Sequence, residues 1–153
     1  MKINTIIKPE YLWQTNKNPK YIFHGSSQLI LTDIEPKQGH DDVGYRINEQ
    51  KAIYGTAIFK GAIPYAIGKG KVACSIGDRE DNLAMKIYSG TIPDDSYGYI
   101  YVLDSEKFKQ CNNTCQYVSF ANVKPIEVIK VQYRDFKDCF VDKTKYELIN
   151  TPL

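Results

Sequence analysis

Apolar and aromatic residues in this chain gather in short runs, separated by polar stretches that carry Gly, Pro, Asn and Asp. Short runs rich in Tyr, Ile and Val predict strands, because branched and aromatic side chains pack well on a pleated surface. They fall at YIFH (21–24), KAIYGT (51–56), KVACSI (71–76), LAMKIY (83–88), YGYIYVL (97–103), QYVSF (116–120) and IEVIKVQY (126–133). Helical periodicity is scarcer. AIFKGAIPYAIG (57–68) predicts a short helix closed by Gly68, in which Pro64 is compatible only with the first turn. PEYLWQT (9–15) and DSEKFKQC (104–111) predict two more, the second capped by Asp104 or Ser105. Segment 36–50, polar and turn-rich, reads as a loop. The pattern as a whole predicts an α+β fold with a strand-dominated core and a few short helices.

At 153 residues and 42% hydrophobic content, the chain can bury about two-thirds of its unfolded surface. A single domain over 1–153 is therefore expected. Its net charge of +2 is made of interspersed signs, which argues against a nucleic-acid arm or a basic membrane face. No stretch approaches the roughly 18 apolar residues of a membrane span. Lys8 and Glu10 interrupt the amino-terminal segment where a leader would have to stay apolar, so a cytoplasmic location with no membrane partner is expected. Cys74, Cys111, Cys115 and Cys139 match no zinc spacing, and neither His24 nor His40 lies near the CNNTC pair. Structural or merely reduced thiols, and no metal, are expected. The sequon at Asn112 carries no meaning without secretion.

Candidate chemistry begins at His24, Gly25 and Ser26, which follow a strand-like run. An imidazole there stands at a sheet edge, and a glycine lets a ligand approach the backbone N–H and C=O. The same residues also fit an ordinary edge histidine. Tyr54 ends a strand and Tyr65 lies in the helix that follows, so the two rings are placed to face one cleft beside His24. Two aromatic faces can sandwich a flat cationic ring such as oxidised nicotinamide. Against this stands the plainer reading, in which they are two of twelve tyrosines filling a core.

Taken together, YIFHGS, AIYGTAIFKGAIPYA and CQYVSFANVKPIEVIKV resemble, in order and spacing, the histidine-tyrosine-glutamate branch of the ADP-ribosyltransferase superfamily, typified by diphtheria toxin and the poly(ADP-ribose) polymerases. The resemblance spans about residues 21–133. It implies an ADP-ribosyltransferase-like fold with a split, two-sheet core and NAD as the substrate. Nicotinamide would stack between Tyr54 and Tyr65, its carboxamide held by Gly25. His24 would bond a ribose hydroxyl, and Ser26 would support the turn or reach the same sugar. ADP-ribose would pass to an acceptor that the motifs do not name.

Two positions depart from the family pattern. Its third motif begins with glutamate, and here the matching strand begins with Gln116, in the catalytic position with His24 and Tyr54. Gln116 keeps hydrogen-bonding capacity but no charge to offset the developing oxocarbenium ion, a loss worth on the order of a hundredfold to a thousandfold in rate. Ala62 stands where many relatives carry a serine that bonds the carboxamide. Of the nearby acids, Glu106 reads as a helix-start residue and Glu127 as solvated, opposite the core face of its strand. Three other readings compete: a weak or inactive module that binds NAD or ADP-ribose, an RNA 2′-phosphotransferase, for which clustered basic residues are lacking, and a β-domain with no ligand site.

Overall fold

The computed structural model describes residues 2–39, 50–67, 72–75, 86–88 and 92–142. Gly68 and His40 lie outside the described residues, as do parts of the expected strands at 71–76 and 83–88. The chain opens with β1 (Ile3–Asn4) and α1 (Pro9–Trp13), followed by β2 (Tyr21–Ser26), β3 (Lys37–Gln38) and β4 (Lys51–Thr56). Helix α2 (Phe59–Ala66) leads to β5 (Val72–Ser75), β6 (Lys86–Tyr88) and β7 (Tyr97–Asp104). The remainder forms β8 (Lys109–Gln110), β9 (Gln116–Ser119), β10 (Glu127–Gln132) and β11 (Phe140–Asp142). The fold is mixed α+β. One sheet runs β1-β10-β7-β2-β4-β9-β8, with β3 added on β4, and a second is ordered β11-β6-β5.

The large sheet is covered on both faces. Against one face lies α2, whose Phe59, Ala62, Ile63 and Ala66 pack on Phe23, Ile100, Val102, Ile129 and Val131. On the other, Ile34 and Val123 pack on Ile53, Tyr101, Leu103 and Val128. Ile34 and Val123 exchange two backbone hydrogen bonds of 2.9 Å, so two loop segments clamp one another over the strands. Double coverage removes the link between alternation and exposure.

Glu127 shows the consequence. Expected to be solvated, it is buried and accepts hydrogen bonds from Tyr11 Oη and Asn4 Nδ2, each at 2.5 Å. It shares its face of β10 with Ile129 and Val131, at the end where α1 and β1 close the sheet. Other expectations need correction as well. Residues 104–111 form a 3-10 turn (Ser105–Lys107), with the Asp104 side chain accepting from the Glu106 N–H, and then strand β8. Segment 36–50 contains β3, which pairs with β4 through Lys37↔Ala52 and Gln38↔Lys51. Pro64 sits inside α2 rather than in its first turn. Its ring is buried there, so packing offsets the hydrogen bond that proline cannot donate.

The joint between β2 and β4 sets the candidate site. β2 pairs with β7 along its whole length, from Tyr21↔Asp104 to Ser26↔Tyr99. With β4 it shares the single pair Phe23↔Thr56. The large sheet is therefore continuous in strand order but opens into a seam beyond that pair, on the side toward Gly25 and Tyr54.

Candidate functional site

Continuing the Phe23↔Thr56 register would set Gly25 opposite Tyr54, and the Tyr54 carbonyl would take a backbone donor from β2. It takes a side chain instead: His24 Nδ1 lies 2.6 Å from the Tyr54 oxygen. The Phe23 carbonyl oxygen lies against Gly55, 3.1 Å from where a Cβ on that glycine would stand. Phe23 thus turns its peptide groups toward β4. Peptide groups two residues apart on a strand point the same way, so Gly25 also directs its N–H and C=O toward the seam, past the last paired residue.

A carbonyl can only accept, so the imidazole donates through Nδ1 and, when neutral, keeps Nε2 as an acceptor. Burial pushes His24 below its ordinary protonation range. The Tyr54 carbonyl opposes that shift, and the positive charge of Lys37 reinforces it. A neutral, tautomerically fixed imidazole is suited to accept a hydroxyl proton.

Helix α2 crosses directly over Gly25. A Cβ there would stand 2.2 Å from the Ala62 carbonyl oxygen and 2.9 Å from the Ala66 nitrogen, so only glycine fits. The same Cβ would lie 3.1 Å from that of Tyr65, which leaves the helix beside Gly25 with its ring exposed. Tyr54 belongs to this face too, packed with Ala52, Cys111 and Val118, while its neighbour Ile53 faces the opposite core. The Tyr54 hydroxyl donates to the Gln50 carbonyl and accepts the Gln50 N–H, both at 2.8 Å. Gln116, half-buried, pairs with Thr56, and the Thr56 side chain lies beneath Gly61 of α2. Gln116 is therefore also on the helix side.

The expectation that both tyrosine rings and Gln116 lie in one cleft beside the His24 ring is not met. His24 leaves β2 on the opposite face, level with Tyr101, and meets Tyr54 through the latter's main chain. Tyr54, Tyr65, Gln116 and the peptide of Gly25 share the helix side, whereas His24 and Ser26 hold the other. The two groups meet where His24 Nδ1 contacts the Tyr54 carbonyl. On the His24 side lies a cavity of about 130 Å³, with His24, Ser26, Glu35, Lys37, Gln38 and Tyr54 among its lining residues. An open groove of about 350 Å³ by Trp13 and Lys17 contains none of the seam residues.

Sequence reasoning missed three contributors. Tyr101, fully buried, accepts the Ile30 N–H at 2.6 Å and donates to the Gln28 carbonyl at 3.0 Å, pinning the loop that walls the cavity. Burial pushes its hydroxyl above the ordinary tyrosine range. Nothing in YGYIYVL distinguishes it from a packing tyrosine. Lys37 lines the cavity from a stretch read as loop, where a two-residue strand leaves no periodic signal, and Glu35 lies just before that stretch.

Among the described residues no group of His, Cys, Asp and Glu is arranged to hold a metal ion, and no helix is long and apolar enough to cross a membrane. No family model, curated protein or solved structure matches the chain.

Proposed function

We propose that the chain binds NAD across the β2/β4 seam, releases nicotinamide and transfers ADP-ribose to an acceptor, in a domain of ADP-ribosyltransferase type. The observation that carries this reading is the broken register: His24 Nδ1 takes the Tyr54 carbonyl, and Gly25 is left with its peptide groups directed toward an opening. A strand that gives up its ladder at a glycine offers a donor and an acceptor side by side, the complement of a carboxamide. Nicotinamide would stack between Tyr54 and Tyr65, and the Nε2 of His24 would accept from a ribose hydroxyl, with Ser26 beside it. As the glycosidic bond ionises, positive charge develops on the ribose, and an acceptor nucleophile attacks the anomeric carbon. NAD as substrate fits the expected cytoplasmic setting.

Gln116 favours a second reading, a slow or inactive module of the same fold that holds NAD or ADP-ribose. A neutral amide stabilises an oxocarbenium ion less than a carboxylate does. The two readings part on nicotinamide release. Slow release by the wild-type chain, rising at least tenfold in Gln116→Glu, supports a transferase with a weakened third motif. Release that is undetectable in both, despite NAD binding, supports the binding module.

A further inference from the structure

Lys37 lines the cavity shared by His24, Ser26 and Tyr54. Its backbone is fixed by pairing with Ala52, two residues before Tyr54. Lys8, Lys60 and Lys137 have carboxylate partners, and Lys20 and Lys130 lie over tyrosine rings. Lys37 has neither among the described residues, as is also true of Lys2, Lys17, Lys51, Lys107, Lys109 and Lys124, but of these it alone lines the cavity. Ser26 Oγ accepts the Gln28 N–H at 3.1 Å, while its own proton goes to no protein acceptor among those residues. Ile30, Ile34 and Ile53 supply apolar walls, and Lys37 stands exposed at their edge. An uncommitted ammonium and a hydroxyl donor in a partly apolar cavity match an anion of a ligand, and a neutral or cationic ring does not meet that requirement.

We propose that Lys37 makes this cavity a phosphoryl-recognition subsite, in which its ammonium and the Ser26 hydroxyl hold a phosphate group of the dinucleotide on the His24 side of the seam. The assignment to a dinucleotide rests on the NAD reading above; the anion site itself does not. Glu35 lines the same cavity without an ion pair among the described residues, so its charge opposes the build-up of negative charge there. The occupied subsite also acts on His24: a bound anion cancels the Lys37 charge and eases protonation of Nε2.

The test uses the full chain carrying His40→Gln, so that His24 is the remaining histidine. Its titration is followed by NMR with and without inorganic pyrophosphate, alongside calorimetry with nicotinamide, NAD, NADP and ADP-ribose. The expected result is that pyrophosphate raises the His24 midpoint and that Lys37→Ala abolishes this rise. The same substitution weakens phosphate-bearing ligands about tenfold, the scale of one charge-assisted hydrogen bond, leaves nicotinamide unchanged and is rescued by Lys37→Arg. Equal losses for NAD and NADP assign the subsite to the pyrophosphate, and a loss confined to NADP assigns it to the 2′-phosphate. NAD and ADP-ribose bound equally well by wild type and Lys37→Ala, with no loss for NADP, would overturn the proposal. A Lys37-dependent response to pyrophosphate without binding of NAD or nicotinamide keeps the anion site and rejects the NAD reading. No response to any titrant rejects both.

Discussion

His24 and Gly25 are adjacent, yet the backbone uses them in opposite ways. The imidazole replaces a strand partner for Tyr54, and the glycine gives way to a helix. Because burial holds the folded His24 below its ordinary range, the unfolded chain binds that proton at higher pH. The stability tied to a neutral His24 is thus complete above roughly pH 6.5 and lost as pH falls through the folded-state value. Urea unfolding should show the wild-type chain losing more stability than His24→Gln between about pH 7.5 and pH 5; equal losses would place the effect elsewhere. Gly25→Ala drives a methyl into the α2 backbone and should destabilise by about 1–3 kcal/mol, the usual range for overpacking. Gly98→Ala, whose Cβ would meet the Ala66 carbonyl at 1.9 Å, should behave alike although it lies outside the proposed NAD contacts. A fall in melting temperature for both variants would confirm that glycine is required there by the helix.

At the scale of elements, the amino-terminal segment is latched to β10 by Glu127. Its carboxylate accepts from Tyr11 and Asn4, and Lys8 stands 3.9 Å away. Burial and the carboxylate push the Tyr11 hydroxyl far above its ordinary range. Tyr11→Phe leaves a buried carboxylate short of a donor, which should cost about 1–3 kcal/mol. Combined with Glu127→Gln it should cost less than the two single losses summed, as unfolding of a double-mutant cycle would show. The sequence could not reveal this latch, because residues 4, 11 and 127 meet only when β1 and α1 fold onto the far end of the sheet. Strands such as β2, β4, β7, β9 and β10 were legible, since their Tyr, Ile and Val runs are bounded by turn residues. The short pieces were not: β3, β8 and the 3-10 turn at Ser105–Lys107 are too brief for periodicity to register. For the candidate site, the sequence placed His24, Gly25, Tyr54 and Tyr65 together, but the face each side chain takes depends on where the register breaks, and His24 falls on the face opposite the two tyrosines.

For the whole molecule, a sheet clamped on both faces and open at one seam separates stability from binding. Tyr65, more than half exposed, can be shortened at little cost to the core, whereas Tyr54 also anchors Gln50. Tyr65→Ala therefore probes the seam with the least disturbance to folding. Calorimetric titration of NAD into the wild-type chain and into Tyr65→Ala, with melting temperatures measured in parallel, tests the central claim directly. Binding to wild type should be saturable, with an affinity lower by about 1 kcal/mol or more in the variant, the scale of a lost aromatic stack, and the melting temperature nearly unchanged. No NAD binding to a folded wild-type chain, or equal affinity in the two, would contradict that claim.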